Sequence, residues 1–421
     1  MRTHLLAAGL SLAAAASVAG QKPPTLSADV QKYVVVDAPV VALTHVQLVD
    51  GTGAAPAADQ TVILQAGKIA WVGSSAAARI PDGARVMDLA DYRDTLSPAR
   101  DTLIKLNLSW TKYFPACSSQ PWQVEGVVAK MLADGFAADR LIPLENKTVV
   151  TNPREGCRNN RWEPVLKRHG LTFTPLTEVD WQVYRFKSPL LKLNHIFPEG
   201  IQIPAIYPGR QILHLPTVKT HGHAVMTGSV KNSFGGLLKE VRHYAHKHMH
   251  EVLVDLLYMQ RELHPAVFTV MDGTVAGDGA GPRTMIPRVA NLILASADSV
   301  AIDAISARLM GFDPMSIPFL RMAHERGLGI ADVNAIELVG DDVADVNLGF
   351  QTRKSLVIWG DQLIRKGFLR PLERLLLHSP LMVWAPFASN VYHDWLWYPT
   401  VGRSRIREFM RTEWGRLFQA Y

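Results

Sequence analysis

The chain has 421 residues, 48% hydrophobic and 19% charged, which excludes a disordered, collagen-like or small disulfide-framework protein and suits one large globular domain with a smaller module. Its net charge of +6 is local: residues 351–421 hold 11 Lys and Arg against 5 Asp and Glu, and the first 350 residues balance at 33 against 33. This argues against a nucleic-acid surface and makes the C-terminal segment the place for an acidic partner or an anionic lipid face, a solvated basic helix being the plainer reading.

In chain order, Met1 to His4 gives a short cationic start, Leu5 to Ala16 an apolar run too short to span a bilayer, and Ser17-Val18-Ala19 the small residues of a cleavage point. Residues 1–20 thus read as a signal peptide, cut near Ala19, of an exported protein, periplasmic or secreted. Between residues 25 and 90, VALTHVQLVDGTG, TVILQAGKIAWVG (two strands joined at Ala66-Gly67) and ARVMDLAD predict a small all-β, sandwich-like module, and Asp82-Gly83 adds a hairpin signal. From Asp101 the text alternates. DTLIKLNL, LTFTPL, RQILHL, AVFTVMDG and NLILAS read as strands. WQVEGVVAKMLADGF, apolar at Val124, Val127, Val128, Met131 and Leu132 and stopped by Gly135, and DSVAIDAISARLMG read as helices. Residues 95–345 are therefore an α/β domain, a mostly parallel sheet with helices on both faces and sites at the carboxyl ends of its strands. Residues 346–421 form a basic, Trp-rich helical extension holding five of the ten tryptophans. It is either a seat on a membrane surface or protein partner, or a set of helices that bury those rings on the sheet.

Cys117 and Cys157 stand 40 apart, a spacing for neither a zinc ribbon nor an iron–sulfur cluster, so no such cluster is expected within this chain. As a disulfide in an exported protein they would stabilise it by about 3–4 kcal/mol. Two unpaired core cysteines fit the sequence equally.

Three stretches carry chemistry. In PTVKTHGHAVMTGSVKNSFGG, Lys219, Thr220, His221, Thr227, Lys231 and Asn232 crowd the end of a strand, supplying the charge and short directional donors that a carboxylate or phosphate needs. In VMDGTVAGDGAGPR, glycines allow close approach of a ligand, while Asp272 and Asp278 suit a cation or a basic group; turn chemistry explains the glycines as well. Farther on, Asp298 is placed to cap a helix ended by Gly311, with Asp303 facing either strand ends or solvent. Eight of the 15 histidines fall between His214 and His264, and on a helix His243, His246 and His250 would share a face. With His221 or Asp272 alongside they give an open site for a divalent metal, for which His221, His250 and Asp272 are the candidate ligands. A solvated His-rich helix is the alternative.

Two resemblances follow. The order strand, Asp50-Gly51-Thr52-Gly53, strand, Gly67-Lys68-Ile69, strand, Val72-Gly73, Val86-Met87-Asp88-Leu89 resembles the N-terminal composite β-domain of metal-dependent amidohydrolases over residues 40–90. That likeness implies a C–N hydrolase, but the His-x-His pair of the family's barrel is missing from Asp91 to Pro98. Over residues 95–345 the chain resembles the DUF362 family, whose biochemical function is not established. The matching text is Lys105-x-Asn107, Lys219-Thr220-His221, Thr227-Gly228-x-x-Lys231-Asn232-x-x-Gly235, Met271-Asp272-Gly273, Gly279-x-Gly281-Pro282 and Asp298-x-x-Ala301-x-Asp303-Ala304. Some relatives append a ferredoxin-like cluster domain, whose cysteines this chain lacks. The expectation is a small anionic ligand held by Lys105, Lys219 and Lys231, with Asp272, Asp278 or His221 placed for a cation or proton transfer, and with catalytic residues unassigned. The rivals are a C–N hydrolase and a non-catalytic binding or membrane-associated protein.

Overall fold

The computed structural model describes the strands of the N-terminal module and residues 92–421, apart from short interruptions at 149–150 and near 340–344 and 378–383. The expected signal peptide, residues 1–20, and the Asp82-Gly83 turn lie outside the described residues. The chain divides into two compact units, residues 1–87 and 88–421. In the first, β1 (Val40–Leu48), β2 (Ala57–Gln65), β3 (Lys68–Ser74) and β4 (Arg85–Asp88) form a sheet in the order β3-β2-β1-β4. Here β2 runs antiparallel to both β1 and β3, with Gln65 paired to Lys68.

The second unit is α/β. Its main sheet contains β5 (Thr102–Lys105), β6 (Leu141–Glu145), β7 (Thr174–Pro175), β10 (Gln211–His214), β11 (Thr217–His221), β12 (Val225–Met226), β13 (Val267–Ala280) and β14 (Thr284–Ser296), while β8 (Trp181–Tyr184) and β9 (Ile201–Pro204) pair separately. β5 lies between β6 and β10, all three parallel, and β13 runs parallel to β10 and β11. Only β12 and β14 run antiparallel, β14 in a long hairpin with β13. Thus the chain builds outward from β5 through β6 to β7, then returns to the other side of β5. The crevice at such a reversal, beyond the carboxyl ends of the strands, is where open α/β sheets place ligands.

Alternation along the strands buries both faces. Leu103 and Ile212 join one apolar cluster with α4 (Gly228–Leu237), α5 (Met249–Leu263), α6 (Ser299–Met310) and α7 (Pro318–Glu325). Ile104 and Leu213 face the opposite way, onto α1 (Pro121–Ala133) and α3 (Trp162–Arg168), which follows α2 (Pro153–Asn159). α1 starts at Pro121, whose missing N–H costs nothing in a first turn, and buries Val124, Val128 and Met131 on one face. α6 begins where the Asp298 carboxylate accepts the Val300 and Ala301 N–H groups, and ends at Gly311 in the left-handed conformation.

The C-terminal segment adds α8 (Leu356–Lys366), α9 (Glu373–Leu377), α10 (Trp384–Asn390), a wide helical stretch Val391–Gly402, α11 (Arg403–Phe409) and α12 (Glu413–Ala420). Phe409 and Phe418 pack into a third cluster with Trp110, Phe114 and Cys117, joined by Trp397 and Trp414. Both cysteines are free and buried, Cys157 in the cluster under α1 and Cys117 in this third one. Among the described residues no helix is long and apolar enough to cross a membrane.

Candidate functional site

β10 and β11 are one strand broken at Pro216. β10 follows β5 until His214 stands opposite Lys105, and the Leu215 N–H still reaches the Lys105 carbonyl (2.9 Å). There β5 ends, and the continuing strand, still paired with β13 on its other side, takes β12 as its new neighbour. Ser119 fills the fork: its hydroxyl donates to the Leu215 carbonyl (2.6 Å) and accepts the Asn107 N–H (2.8 Å). Beyond it lies a cavity of about 310 Å³. Residues following β5 and β6, His221 at the end of β11, one side of α4, and Gly281 to Arg283 line it, and Ser355, Ile358, Asp361, Arg365, Leu377, Ser389 and His393 line its C-terminal side.

On the sheet side both lysines are paired within a polar network. Lys105 Nζ bonds Glu145 Oε2 (2.7 Å) and the Leu106 carbonyl (2.6 Å), and Glu145 also accepts the Leu108 and Asn146 N–H groups. Lys219, wholly buried, donates to Asn107 Oδ1 (2.5 Å) and the Cys117 carbonyl (2.6 Å). Burial pushes its ammonium down to about 8. Asn107 Nδ2 donates to Asn232 Oδ1 (3.1 Å), and Asn232 Nδ2 to the Lys105 carbonyl (3.1 Å). His214, held near Asn232, bonds Gln260 (2.5 Å) and is kept neutral by burial, which pulls its pKa to about 3.

The expected anion site at the start of α4 is filled from within. Asp303 accepts the Ser229 N–H (2.5 Å) and the Val230 N–H (3.0 Å), so the helix N-terminus already holds a carboxylate. Gly228, at φ +70°, lies so close to that carboxylate that a Cβ would collide with it. Burial lifts the Asp303 carboxyl to about 8. A Cβ on Gly281 would likewise strike the Thr220 carbonyl, which explains the glycine that closes the loop over β11.

The C-terminal side is unsaturated. Arg283 Nη2 donates to Ser389 Oγ (3.0 Å), but its Nη1 is shielded from solvent and has no hydrogen-bond partner among the described residues. Burial pulls the guanidinium down to about 10. Lys231 lies over the Phe234 ring (5.6 Å). Arg365 Nε is shared between the two Asp361 oxygens (2.9 and 3.0 Å), and its Nη1 lacks a partner. Thr227 Oγ1 is also buried and unmet. Four cations and two carboxylates line the cavity, so its charge is positive. His221 and His223 are held neutral, both chiefly by burial and His221 also by Lys231. His221 Nδ1 accepts the His223 N–H (3.1 Å), which leaves its Nε2 as the protonated nitrogen.

Of the residues singled out in the sequence, Lys105, Asn107, His221, Thr227, Lys231 and Asn232 line the cavity. Lys219 and Thr220 stand behind it, Thr220 donating to the Gly279 carbonyl (3.0 Å). Asp278 is paired with Arg288 (2.8 Å) and accepts the Gln351 N–H (2.9 Å), pinning the C-terminal segment to β13. Asp272 lies outside the lining, fully buried, accepting the Thr274 N–H (3.0 Å), and burial lifts its carboxyl to about 6. The described residues bring together one metal-compatible trio, His223, His246 and Asp361, with donor atoms within 4.8 Å of one another. It is not the His221, His250 and Asp272 set: His250 borders a smaller cavity of about 130 Å³ beside the trio, and Asp272 borders neither. The shared face of His243, His246 and His250 does not form on one α-helix either, because Glu240–His248 winds as a tight 3₁₀ helix and α5 begins at Met249. The side chain of His243 lies outside the described ones. Glu145, Arg283 and Asp361 were missed; Glu145 and Arg283 had a signal, each standing where a strand meets its loop.

A thylakoid-associated protein of Synechocystis sp. is 30% identical over 122 residues, 28% of this chain and 37% of that protein, so the shared part is well under two thirds of the relative. No solved structure matches. The amidohydrolase likeness of residues 40–90 gains no support from these relatives. Residues 102–308, just under half of the chain, match the model of a family described as a domain of unknown function, DUF362.

Proposed function

We propose that the α/β unit binds a small anion, a phosphate or carboxylate compound, in the cavity at the fork between β5 and β11. The observation that carries this reading is Arg283: a guanidinium with a shielded, unmet Nη1 in a cavity lined by more cations than carboxylates. A planar guanidinium offers a fork of donors that matches such oxyanions. Lys231 adds charge, and His221 Nε2–H and Thr227 Oγ1 add neutral donors. Lys105 and Lys219 hold the frame, because their ammonium donors are committed to protein acceptors. Titration calorimetry with inorganic phosphate, pyrophosphate and succinate tests this. Arg283→Gln should weaken the best of these probes by about tenfold to a hundredfold, the loss expected for a hydrogen bond to a charged group. Absence of heat and of thermal stabilisation with all three on the wild type would overturn it.

A second reading, a divalent metal in the same cavity, is favoured by His223, His246 and Asp361. Two neutral imidazoles and a carboxylate suit a transition metal with open positions, and Arg365 would orient the carboxylate. Elemental analysis of protein purified without chelators should find a stoichiometric metal that His246→Ala loses and Asp272→Asn keeps. A metal-free wild type that takes up none on dialysis against zinc or manganese would remove this reading. The C–N hydrolase alternative draws only on strands 40–88, in the other unit.

A further inference from the structure

The C-terminal segment has an outer surface unlike the rest of the protein. Nineteen large hydrophobic side chains are exposed among the described residues; eleven lie in residues 351–421, including every exposed Trp and Phe. Several of them join into one stripe. Trp384 Nε1 donates to the Leu376 carbonyl (3.0 Å), which sets that ring beside exposed Leu375. Phe387 follows three residues later on α10, the same helical face. Its ring meets Trp395 edge-on at 6.0 Å. Trp384, Phe387 and Trp395 are 37%, 61% and 63% exposed. A contiguous aromatic stripe of this kind marks a surface that meets something else.

Charge identifies what it meets. Three of the five carboxylates in the segment are used internally: Asp361 by Arg365, Glu373 by Lys247 and Asp394 by the Trp110 indole. Only Glu408 and Glu413 are left exposed, against nine exposed Lys and Arg. Lys366, Arg370 and Arg374 belong to the same stretch as the exposed Phe368, Leu372 and Leu375. Tryptophans at the level of an apolar boundary, with long basic side chains reaching past them, are the pattern of a protein lying on an anionic bilayer.

We propose that residues 351–421 seat this protein on an anionic lipid surface. Trp384, Phe387 and Trp395 enter the boundary between headgroups and acyl chains, and Lys366, Arg370 and Arg374 pair with lipid phosphates. The inner side of the same stretch carries Ser389 and His393, which line the cavity, and Ser389 accepts a hydrogen bond from Arg283. The seat and the anion site therefore share a wall, although the seat does not depend on the cavity's ligand.

Flotation of the purified full chain with phosphatidylcholine vesicles, with and without phosphatidylglycerol, tests this. The protein should rise with the anionic vesicles alone, and less so at high salt. Arg370→Glu with Arg374→Glu, both exposed positions, should lower partitioning by about tenfold or more at an unchanged melting temperature. Phe387→Ser with Trp395→Ser should abolish it, with melting again recorded to separate binding from folding. A wild type that stays at the bottom with anionic vesicles at low salt would overturn the proposal, as would charge-reversed protein that floats like wild type. A dimer dissolved by Phe387→Ser with Trp395→Ser, in protein that does not float, would instead make the stripe a contact between copies and also overturn it.

Discussion

On the sheet side of the cavity, the buried ammonium groups of Lys105 and Lys219 meet a carboxylate, an amide and two backbone carbonyls at hydrogen-bond distance. On the C-terminal side, Arg283 and Arg365 each leave a shielded Nη1 unmet. Buried donors without partners are expensive, and they persist where a ligand or water completes them. Two walls that both carry buried cations therefore have different purposes: one fixes the frame, and the other is left incomplete for what enters.

Substitution should separate the walls. Lys105→Met strips Glu145 of its buried counter-charge and should cost about 3–5 kcal/mol of stability, read as a lower urea midpoint. Arg283→Gln should leave that midpoint nearly unchanged while reducing anion binding. If the two variants unfolded alike, the contrast between the walls would be lost.

Acid provides a subtler break. Burial holds His214 and His393 at about 3, and His223 and His264 at about 4, all below the ordinary imidazole value. Between pH 6.5 and about 4 the unfolded chain takes up protons that these folded imidazoles refuse, so each makes the fold less stable as pH falls. Asp272 and Asp303, raised to about 6 and about 8, act the opposite way, since the folded carboxyls bind protons first. The histidines outnumber them, and the melting temperature should drop from pH 6.5 to 4.5. His393→Asn should flatten that slope from the C-terminal side, and His264→Asn from the end of α5. The smallest effect belongs to Asp298→Ala, which removes the cap of α6 and the bond to the Ile330 N–H, for about 1 kcal/mol. It should leave anion affinity untouched.

The layered α/β plan was legible because periodicity is a local property. The apolar positions of α1, the Asp298 cap and Gly311 stop of α6, and the strand runs DTLIKLNL and RQILHL that became β5 and β10 could be read without tertiary knowledge. The placing of polar side chains was less so. Nothing in Lys105, Lys219 and Lys231 distinguishes a lysine that ends on Glu145 or Asn107 from one that reaches the cavity, since each partner arrives from a distant strand or loop. Asp361 meets His223 and His246 only because α8 folds back over the sheet edge. His243, His246 and His250 failed to share an α-helical face because the 3₁₀ winding of 240–248 changes the angle between successive residues.

The end of β5 at Lys105 has a further consequence. The opening between β5 and β11 comes from where the main chain leaves the sheet, the last ladder bond on that side being Leu215 N–H to the Lys105 carbonyl. Width is thus set by the skeleton, and chemical character by whichever groups α4, the 281–283 loop and α8 present. Those groups can be exchanged without closing the space, so one scaffold is able to host different guests.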